Sequence, residues 1–184
     1  TRIEADGFNP ANFDVTLDPR LPPVKGNLLQ VEKVLINLIE NSMEAMHESG
    51  IGNRSLGIMT RTNGDGTMAQ ITVTDSGPGI DKPTLQRIFN PFFTTKPKGT
   101  GLGLAICEKL ISMMDGDISV DSEPGMGSQF TVRIPLYGAQ YPAKKGLDGL
   151  ARTRCWLAVR NASLCQFVEN SLTRNGVEVR RYEG

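Results

Sequence analysis

This chain lacks an excess of charge of either sign. Its 20 lysines and arginines offset 20 aspartates and glutamates, so no overall field draws it to nucleic acid or to an anionic membrane surface. Cysteine is scarce. Cys107, Cys155 and Cys165 are the whole complement, too few for a disulfide framework in a chain of this length. Cys107 sits in an apolar helical pattern, which reads as a reduced interior thiol. Long hydrophobic runs are absent too: no stretch approaches the roughly 18 apolar residues that span a bilayer, and no signal-peptide pattern opens the chain. What remains is 184 residues, 39% hydrophobic, enough to bury one full core with some chain left over. The start at Thr1 rather than Met reads as a piece of something longer, and a soluble cytoplasmic piece is expected.

The spacing of apolar residues and turn signals predicts an α/β architecture. Residues 12–17 alternate enough for a strand, closed by Asp18-Pro-Arg-Leu-Pro-Pro23. Asn27 with Gln30 resembles a capping box and opens a long helix. On it Leu28, Val31, Leu35, Leu38 and Ser42 mark one face, with Val34 and Met46 at its edge and residues 51–53 as its stop. Residues 56–62 and 68–75 read as two strands joined by Asn63-Gly-Asp-Gly66, a strong hairpin signal. A short helix is expected over 82–89, with Asp81 as cap and Pro83 in its first turn. Residues 90–100 form a loop, 102–114 a helix, and 118–122 and 128–135 strands around Glu123-Pro-Gly-Met-Gly127. Residues 136–149 carry four glycines and prolines and look like a linker. There are no repeats and no low-complexity tract.

Four stretches along this framework carry chemistry. Asn37 and Asn41 lie four apart on the long helix, so both amides face one way. Glu40 and Glu44 flank them on nearly the same stripe. A neutral amide oxygen suits Mg²⁺, which keeps most of its waters and takes few protein ligands beside phosphates, although an ordinary solvated helix face would look the same. Asp75 ends an apolar strand and is followed by Gly77 and Gly79. A carboxylate held there can accept from the exocyclic amine of adenine, whereas guanine presents a carbonyl at that position. The glycines let backbone approach the ring closely. Asp-Ser-Gly-Pro-Gly is equally good chemistry for a plain strand-end turn.

Gly99, Gly101 and Gly103 run straight into a helix, whose amides and dipole form a seat for an anion. The stretch is neither a Walker A loop nor a G-x-G-x-x-G after a strand. It follows a loop holding Lys96 and Lys98, so cations arrive from a flap rather than from the seat itself. Phe89, Phe92 and Phe93 bracket that flap and could hinge it by docking into the core, as a plain packing trio also would. Gly125 and Gly127 are the least specific element, since a hairpin turn needs them anyway. Taken in order, the set reads as a Mg-ATP site.

These stretches resemble the N, G1, F, G2 and G3 boxes of the histidine-kinase ATP-binding domain, a branch of the Bergerat superfamily shared with gyrase, Hsp90 and MutL. The resemblance covers about residues 12–136. It implies an α/β sandwich with a mixed, largely antiparallel sheet on three helices and the nucleotide between helices and lid. It implies Asn41 as the Mg²⁺ ligand, Asn37 as a polar neighbour of the phosphates, Asp75 as the adenine reader and Lys96 as a phosphate contact. Asn37, Asn41 and Lys96 would be the catalytic set. Further nucleotide contacts would come from Glu44, Gly77, Gly79, Ile80, Phe89 and Thr95. Gly99, Thr100, Gly101, Leu102, Gly103, Leu104 and Ser128 would complete them.

Two departures narrow the likeness. Many histidine kinases carry Lys or Arg three residues after the second asparagine, where this chain has Glu44. That form, with Phe92-Phe-Thr-Thr-Lys96 and a very short lid, looks like the nitrogen-regulation and oxygen-sensing branch. From about Gly99 onward the chain resembles the hybrid sensor kinases of the enterobacterial Rcs phosphorelay, in which a longer lid is expected. It therefore reads as a chimera or a divergent homologue with a junction near the second glycine box.

The tail reads as a β-α-β opening: a strand over 155–159, an amphipathic helix over 162–174 and a strand from 177 to 182. Such a parallel unit needs further strands. Arg160 and Asn161 stand where a phosphate-accepting receiver would place a pair of acids. The expected division is thus an ATP-binding domain over 1–136, a linker over 137–150, and the beginning of a small α/β domain over 151–184 that is no competent receiver. The only histidine, His47, has no His-Glu or His-Asp pair on a hairpin helix of its own. The resemblance then implies that the acceptor histidine lies on a separate dimerisation hairpin, with a response regulator or phosphotransfer domain downstream. An isolated monomer is expected, in life the cytoplasmic portion of an inner-membrane sensor. Two other readings stay open at this point: a Bergerat ATPase that couples hydrolysis to conformational change, and a nucleotide-regulated docking module. Such hydrolases use a glutamate base four residues before the metal asparagine, and here that position is Asn37, an amide that takes no proton.

Overall fold

The computed structural model describes residues 13–24, 26–50, 54–97 and 99–136, and the backbone of two strands over 154–157 and 178–181. In chain order the elements are β1 (Phe13–Thr16), α1 (Leu28–Glu48), β2 (Leu56–Thr62), β3 (Met68–Asp75), α2 (Lys82–Leu85), α3 (Gly103–Ser112), β4 (Asp117–Glu123) and β5 (Gly127–Pro135), then β6 (Arg154–Leu157) and β7 (Glu178–Arg181). The first five strands form one sheet in the order β1-β2-β3-β5-β4. β1 runs parallel to β2, and every other pairing in that sheet is antiparallel. This is the mixed, largely antiparallel sheet with helices that the family resemblance implies.

The β2–β3 hairpin forms as its turn signal requires. The Asn63 side chain accepts from the Thr67 and Met68 amides at 2.9 and 2.8 Å, and Gly66 takes a φ of 72°. Registration follows: Ile58 faces Val73, Val73 faces Phe130, and Phe130 faces Val120. That row of apolar side chains crosses one face of the sheet. Val34, Leu38 and Met46 of α1 and Cys107 and Ile111 of α3 join the same core. Each fully buried aliphatic there contributes roughly 1.5–3 kcal/mol. The Cys107 thiol is unpaired, buried, and in long contact with the Val34 carbonyl at 4.0 Å. Burial pushes its pKa up to about 11, so it is an inert interior thiol, as expected.

The helices differ from expectation in two respects. α1 starts where predicted, with the Asn27 side chain accepting from the Leu29 and Gln30 amides. Its buried stripe, however, is Val34, Leu38, Ile39, Ser42 and Met46. Leu28 is 79% exposed and Leu35 only half-buried. Full burial on α1 begins at Val34 and continues in four-residue steps, while Val31 and Leu35 of the predicted face pack against the core partly buried. The helix predicted over 82–89 is a single turn, Lys82–Leu85, capped by Asp81. Beyond it the bonds tighten to three-residue steps, Arg87 to Thr84 and Asn90 to Arg87, and the chain continues as turns.

In the tail, β6 and β7 pair in parallel, consistent with the two outer strands of the predicted β-α-β unit. The predicted linker over 137–150 and helix over 162–174 lie outside the described residues.

Candidate functional site

α1, the loop after β3, the 90–101 loop and the start of α3 enclose a cavity of about 930 Å³. Of the predicted site residues, Asn37, Asn41 and Glu44 reach it from α1, and Asp75, Gly79 and Ile80 from the end of β3. Thr95, Lys96, Gly99, Thr100 and Gly101 line it from the loop, Gly103 and Leu104 from α3, and Ser128 from β5. Three predicted residues are not brought to it. Phe89 packs against the core and lines a separate groove beside Pro91 and Lys109. Leu102 serves as the residue before the first turn of α3. Gly77 sits behind the carboxylate of Asp75, whose Oδ1 lies 2.7 Å from where a Cβ would stand. Its missing side chain therefore makes room for Asp75 rather than for a ring.

Asp75 is 5% exposed. Its Oδ2 accepts from the Ser42 hydroxyl at 3.0 Å, and its Oδ1 accepts from the amides of Gly77 at 2.8 Å and Ser128 at 3.2 Å. Burial raises its pKa above the ordinary carboxylate value, against the pull of those three donors. The carboxylate is thus fixed in direction, partly desolvated, and open to the cavity. Two backbone contacts hold its loop in place. A Cβ on Gly127 would stand 2.0 Å from the Asp75 carbonyl oxygen, and one on Gly79 would stand 1.9 Å from that of Glu123. The Gly125-Met-Gly127 turn, which a bare hairpin would explain, is therefore interlocked with the Asp75 loop.

On α1 the amide of Asn41 donates to Asn37 Oδ1 at 2.9 Å, which turns Asn41 Oδ1 away from the helix. The Lys96 ammonium donates to that oxygen at 3.2 Å and also pairs with Glu44. A cation thus already stands at the Asn41 carbonyl. A neutral amide oxygen is a hard donor suited to Mg²⁺. No group of three or more His, Cys, Asp or Glu side chains among the described residues could hold a metal alone, so such an ion would take most of its shell from water and ligand oxygens.

α3 begins at the cavity with no side-chain cap, so its first amides are free for an anion. Gly103 allows this: a Cβ there would lie 2.8 Å from Asn37 Nδ2 and 2.9 Å from its Oδ1. The loop is pinched at its base, where the Phe92 amide donates to the Gly101 carbonyl at 2.9 Å and Phe92 adopts a φ of 66°. Of the Phe trio, Phe89 and Phe93 pack on the core, with the Arg87 guanidinium 4.4 Å from the Phe93 ring, while Phe92 is 76% exposed.

Sequence reasoning missed Ser42 as a site residue. The signal was present: a serine on a buried stripe must find a partner, and its partner is Asp75. Phe93, Thr94, Ile88 and Phe130 also line the cavity; Phe93 and Thr94 lie in the stretch read as a flap, whereas Ile88 and Phe130, as apolar residues, carried no separate mark. Lys98 lies outside the described residues.

Residues 26–138 match the family described as histidine kinase-, DNA gyrase B-, and HSP90-like ATPase, and residues 155–184 match the RcsC alpha-beta-loop. Sensor histidine kinase RcsC of Escherichia coli (strain K12) is 54% identical over 175 residues, covering 91% of this chain and 18% of the relative. Sensor histidine kinase TmoS of Ectopseudomonas mendocina is 37% identical over 128 residues, 70% of this chain and 13% of the relative. The chain therefore spans less than a fifth of the length of these relatives. The first match is long enough to run through Gly99, where the sequence suggested a change of resemblance. Among solved structures, the nucleotide-free catalytic domain of histidine kinase ThkA is similar, with a TM-score of 0.60 and 32% identity over 73% of this chain and 84% of that one.

Proposed function

Because this chain belongs to the histidine kinase-, DNA gyrase B- and HSP90-like ATPase family and carries its histidine-kinase catalytic domain, we propose that it binds Mg-ATP and positions the γ-phosphoryl group for transfer to a histidine on a separate dimerisation hairpin. One observation carries this reading: a buried, directed carboxylate, an outward amide oxygen, a lysine and an uncapped helix N-terminus face one cavity.

Each residue has a stated task. Asp75 accepts from the exocyclic amine of adenine, with Ser42, Gly77 and Ser128 holding it in direction. The first amides of α3 and the backbone of Gly99 and Gly101 bind phosphate oxygens. Lys96 offers its ammonium to the same oxygens, and Asn41 offers its carbonyl to Mg²⁺, with Asn37 fixing the amide plane. Bound there, Mg²⁺ would neutralise phosphate charge. Phosphoryl transfer asks chiefly for such positioning and charge balance. Transfer is favoured over hydrolysis because Asn37, at the position where such hydrolases place their base, offers none to water, and Glu40 does not line the cavity. His47 is exposed at the end of α1 and does not line the cavity.

The proposed organisation is the catalytic domain over 1–136, a linker over 137–150 and the start of a small α/β domain over 151–184. None of the described helices is long and apolar enough to cross a membrane. The natural setting proposed is the cytoplasmic part of a bacterial inner-membrane sensor, with a response regulator or phosphotransfer domain downstream.

Calorimetric titration of the chain with a non-hydrolysable ATP analogue, with and without Mg²⁺, tests the proposal. Saturable binding strengthened by Mg²⁺ and abolished in Asp75→Ala is expected. No binding by a folded chain would overturn it, and phosphate release well above background would turn the reading to hydrolysis.

A further inference from the structure

The Lys96 ammonium makes two contacts at once with α1. It donates to Asn41 Oδ1 at 3.2 Å and pairs with Glu44, residues 55 and 52 positions away in sequence. Asn41 and Glu44 lie three apart, hence on one face of the helix. The acceptor oxygen is held in direction from behind, because Asn41 Nδ2 is committed to Asn37 at 2.9 Å. The loop end is held too, since Thr94 Oγ1 accepts from the Lys96 amide at 3.0 Å. The lysine side chain is 23% exposed and the glutamate 53%. This is a clasp between loop and helix, made with the oxygen that Mg²⁺ would need.

Resting on the nucleotide-binding reading above, we infer that Lys96 and a divalent cation are alternative occupants of the Asn41 carbonyl, and that Glu44 is the positioning residue that holds Lys96 there before nucleotide arrives. An ammonium and a divalent ion compete for one neutral oxygen, because like charges at such separation repel. Lys96 must therefore leave Asn41 when the ion binds, and the triphosphate arriving with that ion is the nearest compensation for its charge. Glu44 is then released to water, at little cost for a half-exposed carboxylate. A weak, part-exposed pair suits such a role, since a strong one would not open. Glu44 thus acts on the loop lysine and does not itself touch nucleotide.

The sign of one substitution separates this from direct contact. If Glu44 holds the closed clasp, Glu44→Gln shifts the population toward the open form, and the apparent affinity for the Mg²⁺-bound ATP analogue rises. The expected gain is about two- to fivefold, the population effect of one part-exposed ion pair. If Glu44 instead touches the ion or the nucleotide, the same variant binds more weakly. The second readout needs no nucleotide: acylation of lysine amines by an amine-reactive ester, followed by mass spectrometry, with exposed Lys109 as internal reference. In the wild-type chain Lys96 should react more slowly than Lys109, and Glu44→Gln should raise its relative rate about two- to fivefold. Unchanged Lys96 reactivity, or weaker Mg²⁺-dependent binding in the variant, overturns the inference. A Glu44-dependent, protected Lys96 with no analogue binding in either protein defeats the nucleotide reading and the exchange with it. Binding without any Glu44 dependence defeats the exchange alone.

Discussion

The Ser42 hydroxyl donates to Asp75 Oδ2 across 3.0 Å, tying the middle of α1 to the end of β3 over 33 residues of sequence. Both groups are buried, so neither can replace the bond with bulk water. Ser42→Ala should cost about 1.5–3 kcal/mol, the range for a hydrogen bond to a charged group. A denaturant titration checks this. A loss under about 0.5 kcal/mol, the size of an ordinary surface substitution, would mean the carboxylate is satisfied without it.

The same carboxylate sets a pH dependence. Its native pKa is raised, chiefly by burial, above the ordinary 3.8, so the folded chain holds that proton more tightly than the unfolded one. As pH climbs from 3.8 through the native value, the unfolded state loses its proton first and stability falls; above the native pKa the deficit is complete. Asp75→Asn removes this term. It should melt no lower than wild type at pH 7, with any advantage shrinking toward pH 4, while binding of the ATP analogue weakens by tenfold or more. A variant that melts well below wild type at pH 7 would show that the ionic hydrogen bonds outweigh the burial.

Two glycines of one turn should behave differently. Gly125 and Gly127 have φ values of 81° and 83°, yet nothing lies within 4 Å of a Cβ at Gly125, whereas the Asp75 carbonyl oxygen lies 2.0 Å from one at Gly127. Gly125→Ala pays only for its backbone conformation, about 1–2 kcal/mol. Gly127→Ala must also displace the β3 end and should exceed about 4 kcal/mol. Equal losses on thermal unfolding would refute the interlock.

Gly103→Ala probes the asparagine pair. A Cβ there would crowd both polar atoms of Asn37 and turn Asn41 away from its outward pose. Stability should change by no more than about 1 kcal/mol, while Mg²⁺-dependent affinity for the analogue drops about tenfold, or roughly 1.4 kcal/mol. Calorimetry beside a thermal melt separates the two effects; undiminished affinity would mean the pair has room to adjust.

The parts of this molecule legible in its sequence are those fixed by short-range chemistry. β2 and β3 occupy the predicted residues because Asn63-Gly-Asp-Gly66 sets their turn and register locally. α1 starts at its cap for the same reason. Periodicity alone could not say where along α1 the core begins, so Leu28 was drawn into a buried face that starts at the second turn. Nor could it place Phe89, which turns to the far side once α2 stops after Leu85. Three of the four glycine and asparagine stretches line one cavity, and the fourth, Gly125-Met-Gly127, only braces the Asp75 loop beside it. The contact of Lys96 with Asn41 and Glu44 was not legible, since it depends on the path of a loop more than 50 residues away.

The bond between the Phe92 amide and the Gly101 carbonyl closes the loop at its neck. A Cβ on Gly101 would stand 2.4 Å from the Phe92 carbonyl carbon, so the two strands of that neck are pressed together. Between them the chain returns to the body of the domain through Phe93, packed on the core, and Lys96, paired with α1. Residues added near Thr95 would lengthen a closed ring without moving α3 or β3, and the entropy of doing so grows only with the logarithm of ring size. Insertions grafted into this chain belong at that tip, where the base end of the cavity is left unchanged.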